Sequence, residues 1–459
     1  HASRTPRNAL TKKKQKTLSC ALLAAGTVAA SLYGTSAHAQ STDALLNKLV
    51  DKGILTVNEA KDLREETDKD FTKAYSVKSG LPEWVSSMKF NGDFRGRYEG
   101  FYIADPKAAT GVDRNRFRYR LRFGFTANMM DNLEVGFALT SSDPTSTGGG
   151  DPVSGNTTFQ NNGEKKFVYI DKAYAKWSPL NSPDASAAFT FGKMENPFVY
   201  PSTILFDRDY TPEGFAAELT YQLTSDQKLR LIGAGWVLDE NGGTGQDPYL
   251  LAGQLRLDSK WTPKISSTLG VGWFSVLSGK SALNTAAVPN QGRGNTRNAA
   301  GNLVYSYNPI YADAGATYML DSFPGYTGAF PITLSADYLY NPAVKQLNQG
   351  YSIGMILGKS GKKGLWDVTY RWTELQKDAW YEEFVESDFG AYYKAAPAGG
   401  TAGYQSGTNV RGHWIKASYS PYDSLTLSVA TFLTGLVSES PVGSRSGATR
   451  LQVDAVWKF

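Results

Sequence analysis

The stretch RNRFRYRLRFGF, residues 114–125, decides the fold class of this chain. Successive side chains of a β-strand point to opposite faces, so this pattern predicts a strand with one charged and one aromatic face. A soluble sheet would bury the aromatic face, whereas a membrane barrel turns it toward lipid and the charges toward a wet lumen. The charged face carries Arg114, Arg116, Arg118, Arg120 and Arg122, and the other carries Phe117, Tyr119, Leu121, Phe123 and Phe125.

The same period-two rhythm runs along the rest of the chain from Trp84 onward. Segments of about ten residues alternate in polarity and are separated by Gly, Asn, Asp and Pro, as strands joined by turns would be. The predicted strands are 88–99, 114–128, 133–141, 167–178, 186–193, 214–222, 228–238, 249–258, 265–277, 310–320, 330–340, 351–358, 365–374, 411–420, 425–433 and 450–459.

The connections between these segments tend to alternate between long and short. Loops such as 142–166 and 194–213 are each followed by a tight turn, as outer loops and periplasmic turns of a barrel would be. The last segment alternates again and stops on Phe459, and aromatic residues make up 13% of the chain. We therefore predict an all-β fold, a transmembrane antiparallel β-barrel of about 16 strands, over residues 84–459.

Residues 1–39 have the features of a leader with a secretory signal peptide. Lysines 12–14 and 16 form a basic region, residues 18–33 are apolar, and Ala37-His38-Ala39 fits a cleavage site. Two alternatives are a membrane anchor, for which the apolar run falls short of ~20 residues, and a lipoprotein at Cys20, whose flanking sequence is a poor lipobox.

The composition beyond residue 39 excludes several classes of function. The leader holds six of the 48 Lys and Arg residues and no acid, so the remainder is nearly neutral instead of +5, which argues against nucleic-acid binding. No cysteine and one histidine, His413, remain. A Cys/His metal site is therefore excluded, and a Ser-His-Asp triad could use only His413. We predict no enzyme activity, no metal and no cofactor.

Residues 40–80 predict a short helical or coiled-coil segment on the periplasmic side. Leu45 and Leu49 share one helical face, Gly53 is a stop signal, and Thr56 with Glu59 matches a capping box. Two interpretations stay open. The segment is either a loose tether, or a coiled coil that supports trimerisation or contacts the cell wall.

Three motifs resemble the putative porin family of Gram-negative outer membranes, which is distantly similar to phosphate-selective porins. The motifs are Leu45-Leu46-x-x-Leu49-Val50-x-x-Gly53-Ile54-Leu55-Thr56-x-x-Glu59-Ala60, Phe90-x-Gly92-Asp93-x-Arg95-x-Arg97 with the arginine-rich strand, and Gly192-Lys193-Met194-x-Asn196-Pro197-Phe198 with Phe206-Asp207-x-Asp209-x-x-Pro212-Glu213-Gly214. The likeness spans essentially the whole chain after the leader.

The resemblance implies an outer-membrane porin, a water-filled channel for passive diffusion of small polar or charged solutes. It implies outer-membrane lipid and small solutes or ions as partners, a homotrimer as the assembly, and no nucleic acid. The alternative is a plugged structural or adhesive outer-membrane barrel. The resemblance does not identify the solute.

Two sets of residues are the candidate site, because a porin selects by the width and the charge of its narrowest point. The pore-lining candidates are Asp93, Arg95, Arg97, Arg114, Arg116, Arg118, Arg120 and Arg122. In porins the loop between the fifth and sixth strands commonly folds into the lumen, and here that loop is 194–213. The constriction candidates on it are Glu195, Asp207, Arg208, Asp209 and Glu213. The alternative for the arginines is a set of solvated wall pairs. The acidic stretch 382–388 predicts a solvated outer loop or a cation funnel.

Overall fold

The computed structural model of this chain describes residues 81–103, 113–243, 245–390, 407–438 and 447–459, together with Lys48 and Leu63. The leader and the helical segment predicted over residues 1–80 lie outside the described residues, apart from Lys48 and Leu63. Both stay predictions.

Strands dominate the described part of the chain. They are β1 (Val85–Ile103), β2 (Arg114–Met129), β3 (Leu133–Ser141), β4 (Thr157–Thr158), β5 (Val168–Asn181), β6 (Ala185–Lys193), β7 (Glu213–Thr224), β8 (Gln227–Val237), β9 (Tyr249–Thr262), β10 (Ile265–Leu277), β11 (Ile310–Leu320), β12 (Phe330–Tyr340), β13 (Gln349–Gly358), β14 (Trp366–Leu375), β15 (Val410–Tyr422), β16 (Leu425–Leu436) and β17 (Ala448–Lys458). Within the described ranges from residue 81 onward there are also an α-helix, α1 (Gly279–Thr285), and two 3₁₀ turns, Met130–Asn132 and Asn161–Gly163. Within the described ranges no helix is long and apolar enough to cross a membrane.

Sixteen long strands form a closed antiparallel barrel, as the sequence predicts. Each pairs with its neighbours in chain order, and β1 closes the ring against β17, from Asp93 opposite Lys458 to Ile103 opposite Ala448. Closure gives every strand a partner on both sides, and in hydrocarbon each unpaired backbone group would cost several kcal/mol. The two-residue β4 is extra and pairs with β2 beyond the end of β3.

The two faces of the wall have the inverted polarity that the alternation predicts. In β2, Phe117 is 59% exposed on the outer face and Arg118 is 8% exposed on the inner face. In β1, Phe90 and Phe94 are exposed outside, whereas Glu99 is fully buried inside. The aromatic face therefore looks away from the barrel, and the arginine face looks into it.

The strand limits differ most from prediction at β1. The predicted strand 88–99 stops before Gly100, a residue that weakens strands, but β1 continues to Ile103. The register with β17 carries the pairing through Gly100, opposite Leu451. Pairing with a strand some 350 positions later in the chain has no local sequence signal.

The core of the molecule lies inside the barrel, at the end where the long loops are. We call this the loop end and the opposite end the turn end. Aromatic side chains of three loops pack there against the part of the wall nearest the loop end. Phe206 lies near Trp236, Phe274, Trp380 and Phe384. We name these loops by their residues: loop 194–212, loop 278–309 and loop 376–390, the last being the first of the two described parts of the β14–β15 connection.

Candidate functional site

Two facing glycines turn loop 194–212 away from the wall. Gly192 in β6 lies opposite Gly214 in β7, and their φ angles are +119° and +149°. A Cβ atom would lie 2.4 Å from the Ala173 carbonyl oxygen at Gly192 and 2.3 Å from the Gly235 carbonyl oxygen at Gly214. Only glycine adopts such backbone angles without strain and leaves this space free. The chain therefore leaves the wall at both ends of the loop.

The inward loop brings Asp209 against the arginine face of β2. Its carboxylate lies 2.9 Å from an Nη atom of Arg122 and 3.2 Å from one of Arg120. Arg120 also contacts Asp93 of β1 at 2.7 Å. Burial acts to raise the pKa of Asp209, but Arg122 and Arg120 outweigh burial and hold that pKa below its usual range. Asp209 is therefore an ionised link between the loop and the wall.

A second cluster surrounds Glu99 nearer the loop end. Its carboxylate accepts hydrogen bonds from Arg116 and Arg450. Arg118 lies 3.7 Å away, and Gln452 donates at 3.0 Å. Arg450, on β17, was not among the predicted pore residues. A charged side chain on the inner face of the last strand was the sequence signal for it.

Arg97 joins the wall to loop 376–390. Its guanidinium donates two hydrogen bonds to Asp454 on β17, at 2.7 and 2.8 Å. Its third donor reaches Asp388 of the loop at 3.0 Å. Burial acts to raise the pKa of Asp388, but Arg450 and Arg97 outweigh it and hold the pKa well below its usual range. Most arginines of the face are thus paired with carboxylates.

Three cationic side chains without a carboxylate partner in the described part of the chain, called open cations below, line a cavity of about 470 Å³ beside this wall. The cavity runs from the inward loops toward the turn end. Arg95 donates to the Asn156 amide oxygen at 2.7 Å. Arg208 lies over the Tyr200 ring, 4.7 Å from its centroid, and donates to the Tyr200 carbonyl. Lys416 is the third. Among the residues that the structure describes, none of Arg95, Arg208 and Lys416 has a carboxylate within 4.0 Å.

Three other predicted site residues lie apart from this cluster. Arg114 is exposed at the loop end of β2. Glu195 is exposed and lies 3.6 Å from Lys172. Glu213 begins β7, outside the loop, and pairs with Lys193 at 3.1 Å. The charges of Glu195 and Glu213 are consequently balanced by neighbouring lysines, and the charge of Arg114 is solvated.

Loop 376–390 contradicts the prediction of a solvated outer loop or cation funnel. Glu382 is buried and accepts hydrogen bonds from the backbone N–H groups of Gly292 and Asn295, both at 2.8 Å. It also pairs with Arg297. One sequence signal for burial of this loop is present: aromatic residues alternate with the acidic ones, and residues such as Trp380 are seldom left in water.

Loop 376–390 and loop 194–212 bind each other through Asp207. The Asp207 N–H donates to the Phe384 carbonyl at 2.6 Å, and its carboxylate accepts from the Ser387 N–H at 2.8 Å. Burial, then Glu386, raises the pKa of Asp207 well above its usual range. Burial, with Asp388 next, raises the pKa of Glu386 to about 7. The loop contact therefore contains carboxyl groups that favour the neutral form.

A second cavity, of about 610 Å³, lies on the other side of Asp209. Its lining includes Arg122 and Asp171 of the wall and parts of all three inward loops. Asp209 lines both cavities. The ion pair of Asp209 with Arg122 thus stands between an arginine-lined space and a second space at the loop end.

Residues 101–321 match the model of a family described as "Putative porin". Over these residues the chain is similar to that family. The matched residues run from the end of β1 to the end of β11 and include loop 194–212 with the two glycines at its base. No curated protein matches the chain in sequence.

Solved structures are similar to this chain at low sequence identity. A high-pH structure of OprB from Pseudomonas putida is 12% identical, with a TM-score of 0.49, over 85% of this chain and 97% of that one. A triple mutant of the porin of Rhodopseudomonas blastica is 10% identical, with a TM-score of 0.40, over 81% of this chain and 100% of that one.

The family and the fold point to a channel and not to an enzyme. His413, the single histidine after residue 39, is exposed on the outer face of β15. Its Nδ1 lies 3.0 Å from the Tyr370 hydroxyl on the neighbouring strand.

Proposed function

We propose that the porin conducts small polar or charged solutes passively, through a route along the arginine-lined wall. The observation that carries this proposal is the 470 Å³ cavity with Arg95, Arg208 and Lys416 open on it. In the proposed route, Asp209 facing Arg120 and Arg122 forms the constriction. Neither cofactor nor covalent chemistry takes part.

The charge balance of this route favours anions over cations. Asp388 and Asp454 are occupied by Arg97, and Asp209 is occupied by Arg120 and Arg122. Paired charges largely cancel at a distance, whereas an open guanidinium in a narrow lumen attracts anions. The open cations therefore set the sign of the selectivity.

The test is the reversal potential of single channels in planar bilayers under a salt gradient. Arg95→Ala removes an open cation without removing the partner of a carboxylate, and we expect it to shift the reversal potential toward cation preference. Arg114→Ala is the matched control, because Arg114 lies outside the cavity, and it should leave the potential unchanged. Equal potentials for both variants and the parent would refute the proposed route.

A plugged structural or adhesive barrel is the second candidate. It is favoured by the aromatic packing of the three loops, which fill the lumen at the loop end. The same bilayers separate the two candidates. Stepwise currents support the channel, and a folded, inserted protein without currents supports the plug.

We further propose that the porin assembles as a homotrimer in outer-membrane lipid, with residues 40–80 in the periplasm after removal of residues 1–39. The composition of the outer wall supports an interface on one side. Exposed phenylalanines concentrate on β1 to β7, whereas Leu, Val, Ile and Tyr dominate the outer face elsewhere. Aromatic residues are enriched at protein interfaces.

Cross-linking of Phe117→Cys, compared with Ile353→Cys on the other side, tests this assembly. Trimers cross-linked through both positions equally, or through neither, would count against the interface.

A further inference from the structure

The 610 Å³ cavity at the loop end contains buried polar atoms that the channel proposal does not use. Tyr381 is 2% exposed and Glu383 is 6% exposed, and both line this cavity. The Tyr381 hydroxyl and the Glu383 Oε1 atom have no hydrogen-bond partner among the described residues, and neither has the hydroxyl of Tyr169, which also lines it. Buried polar atoms in proteins are nearly always paired, so three such oxygens around one cavity suit a ligand that supplies hydrogen bonds to them.

Glu383 lines the cavity and has one carboxylate oxygen left for a donor. Its Oε2 atom accepts a hydrogen bond from the Asn290 N–H at 3.0 Å. This bond holds the carboxyl group in place and leaves Oε1 as the free atom. A ligand that donates hydrogen bonds would satisfy Oε1 without breaking any contact inside the loops.

The charge of the lining is acidic. Among the described residues its lining has two cations, Arg122 and Lys193, and both are paired: Arg122 with Asp209 and Asp171, and Lys193 with Glu213. Two further carboxyl groups line the space, those of Asp151 and Glu383. A positively charged ligand would therefore be favoured here, in contrast to the arginine-lined cavity beyond Asp209.

The remaining lining is aromatic and aliphatic. It includes Tyr210 and Phe384 beside the two tyrosines, and Leu283 and Val288 from loop 278–309. Aromatic faces attract cations as well as apolar surface. We infer that this cavity binds an organic cation, a compact apolar body that carries an ammonium or amidinium group. The inference goes beyond the proposed conduction and does not depend on it.

The experiment measures calorimetric binding of three probes of similar shape to the folded porin in detergent. Benzamidine carries the cation, benzamide is its neutral counterpart, and benzoate is its anionic counterpart. We expect benzamidine to bind at least about tenfold more tightly than benzamide, because its N–H groups meet an ionisable carboxyl group, and benzoate to bind weakest. Benzamide binding as tightly as benzamidine would overturn the inference.

Two variants locate the binding. Glu383→Gln keeps an oxygen for Asn290 and removes the charge, so benzamidine affinity should fall about tenfold while benzamide affinity changes little. Tyr307→Phe is the matched control, because its buried hydroxyl is also unpartnered but does not line this cavity. If Glu383→Gln fails to fold, Tyr381→Phe replaces it with the same expected direction. Unchanged benzamidine affinity in the folded variant refutes the site.

The pH dependence of benzamidine binding gives an independent readout. Glu383 faces Asp151 of the β3–β4 loop, Arg293 of loop 278–309, Tyr210 of loop 194–212 and Glu382 on its own loop. Burial, with Glu382 next, raises the pKa of Glu383 to about 8. Its carboxylate forms as the pH rises, so benzamidine should bind more tightly at pH 9 than at pH 6 in the parent and not in Glu383→Gln. An affinity independent of pH in the parent would remove Glu383 from the site.

Discussion

At the scale of single residues, the inner face of β1 and β2 is held together by charges shared among several arginines. Glu99 is completely buried and meets guanidinium groups from β2 and β17. A buried carboxylate pays a large desolvation cost that only such close cations offset. Removal of this one charge would leave Arg116, Arg118 and Arg450 facing each other.

We therefore expect Glu99→Gln to lower the free energy of unfolding by about 3 kcal/mol, the typical cost of breaking a buried ion pair. Guanidinium titration in lipid vesicles, followed by tryptophan emission, measures the loss. Glu218→Gln is the control, since Glu218 lies on the inner face of β7 and has no cation within 4.0 Å among the described residues. Equal stability of the two variants would show that the cluster contributes little.

At the scale of elements, the position of loop 194–212 depends on the glycine pair at its base. Gly192 and Gly214 both have positive φ, and both approach the carbonyl oxygen of a neighbouring strand. Backbone angles of this kind cost other residues about 1–3 kcal/mol. The loop carries Asp209, so its direction decides whether Asp209 meets Arg122.

Gly214→Ala should release the loop from its inward position. We expect noisier single-channel currents of altered size, because Asp209 would no longer be held against Arg120 and Arg122. Gly233→Ala is the matched control on β8, where an added Cβ meets nothing within 4 Å and φ is ordinary. Quiet, parent-like currents in Gly214→Ala would mean that other contacts hold the loop.

We expect the packing of loop 376–390 to become less stable as the pH rises. The pKa values of Glu383 and Glu386 are raised to about 8 and about 7, in both cases mainly by burial. An acid whose pKa is raised by packing stabilises the packed state at low pH, and this contribution is lost as the pH rises from its ordinary pKa of about 4.3 to the raised one. Asp209 and Asp388 have lowered pKa values, so their contribution is lost only in strong acid.

Current fluctuations from this loop should therefore grow between about pH 5 and pH 8 and then level off. Recordings across this range measure the effect. The double variant Glu383→Gln and Glu386→Gln should show fluctuations that do not change with pH. A parent trace that is steady throughout would contradict the assignment of these two groups.

At the scale of the whole molecule, stability rests on the outward placement of apolar side chains around a closed wall. Ile353 lies in the middle of β13 and is 60% exposed, whereas Tyr422 at the end of β15 is 59% exposed. In water the two exposures would be equivalent. In a bilayer they differ, because the cost of a charge depends on depth.

Ile353→Arg should thus cost about 2–4 kcal/mol of folding free energy in vesicles, and Tyr422→Arg about 0–1 kcal/mol. Reversible unfolding of both variants in the same lipid gives the comparison. Equal costs would contradict the placement of Ile353 at the midplane.

The barrel wall could be predicted from the amino-acid sequence. Alternation is a local property, so the stretch 114–125 contains enough information to place Arg118 inside and Phe117 outside once lipid is the solvent. The number of strands, most of their limits and the inward direction of the arginine face follow from it. Contacts between inward side chains on adjacent strands, such as Arg116 with Glu99, follow from the same alternation once the two strands pair.

The filling of the lumen could not be predicted, because it depends on contacts between residues far apart in the chain. Trp380 donates to the Leu205 carbonyl across 175 positions of the chain, and no period in the sequence encodes that contact. The sequence predicts a solvated loop 376–390 because its acidic residues are evident in the sequence. Their partners Gly292, Asn295 and Arg297 lie about 90 positions earlier, and no local pattern links them to the loop. Burial of a charge is favourable only when distant donors meet it, and these distances are set by the closure of the barrel.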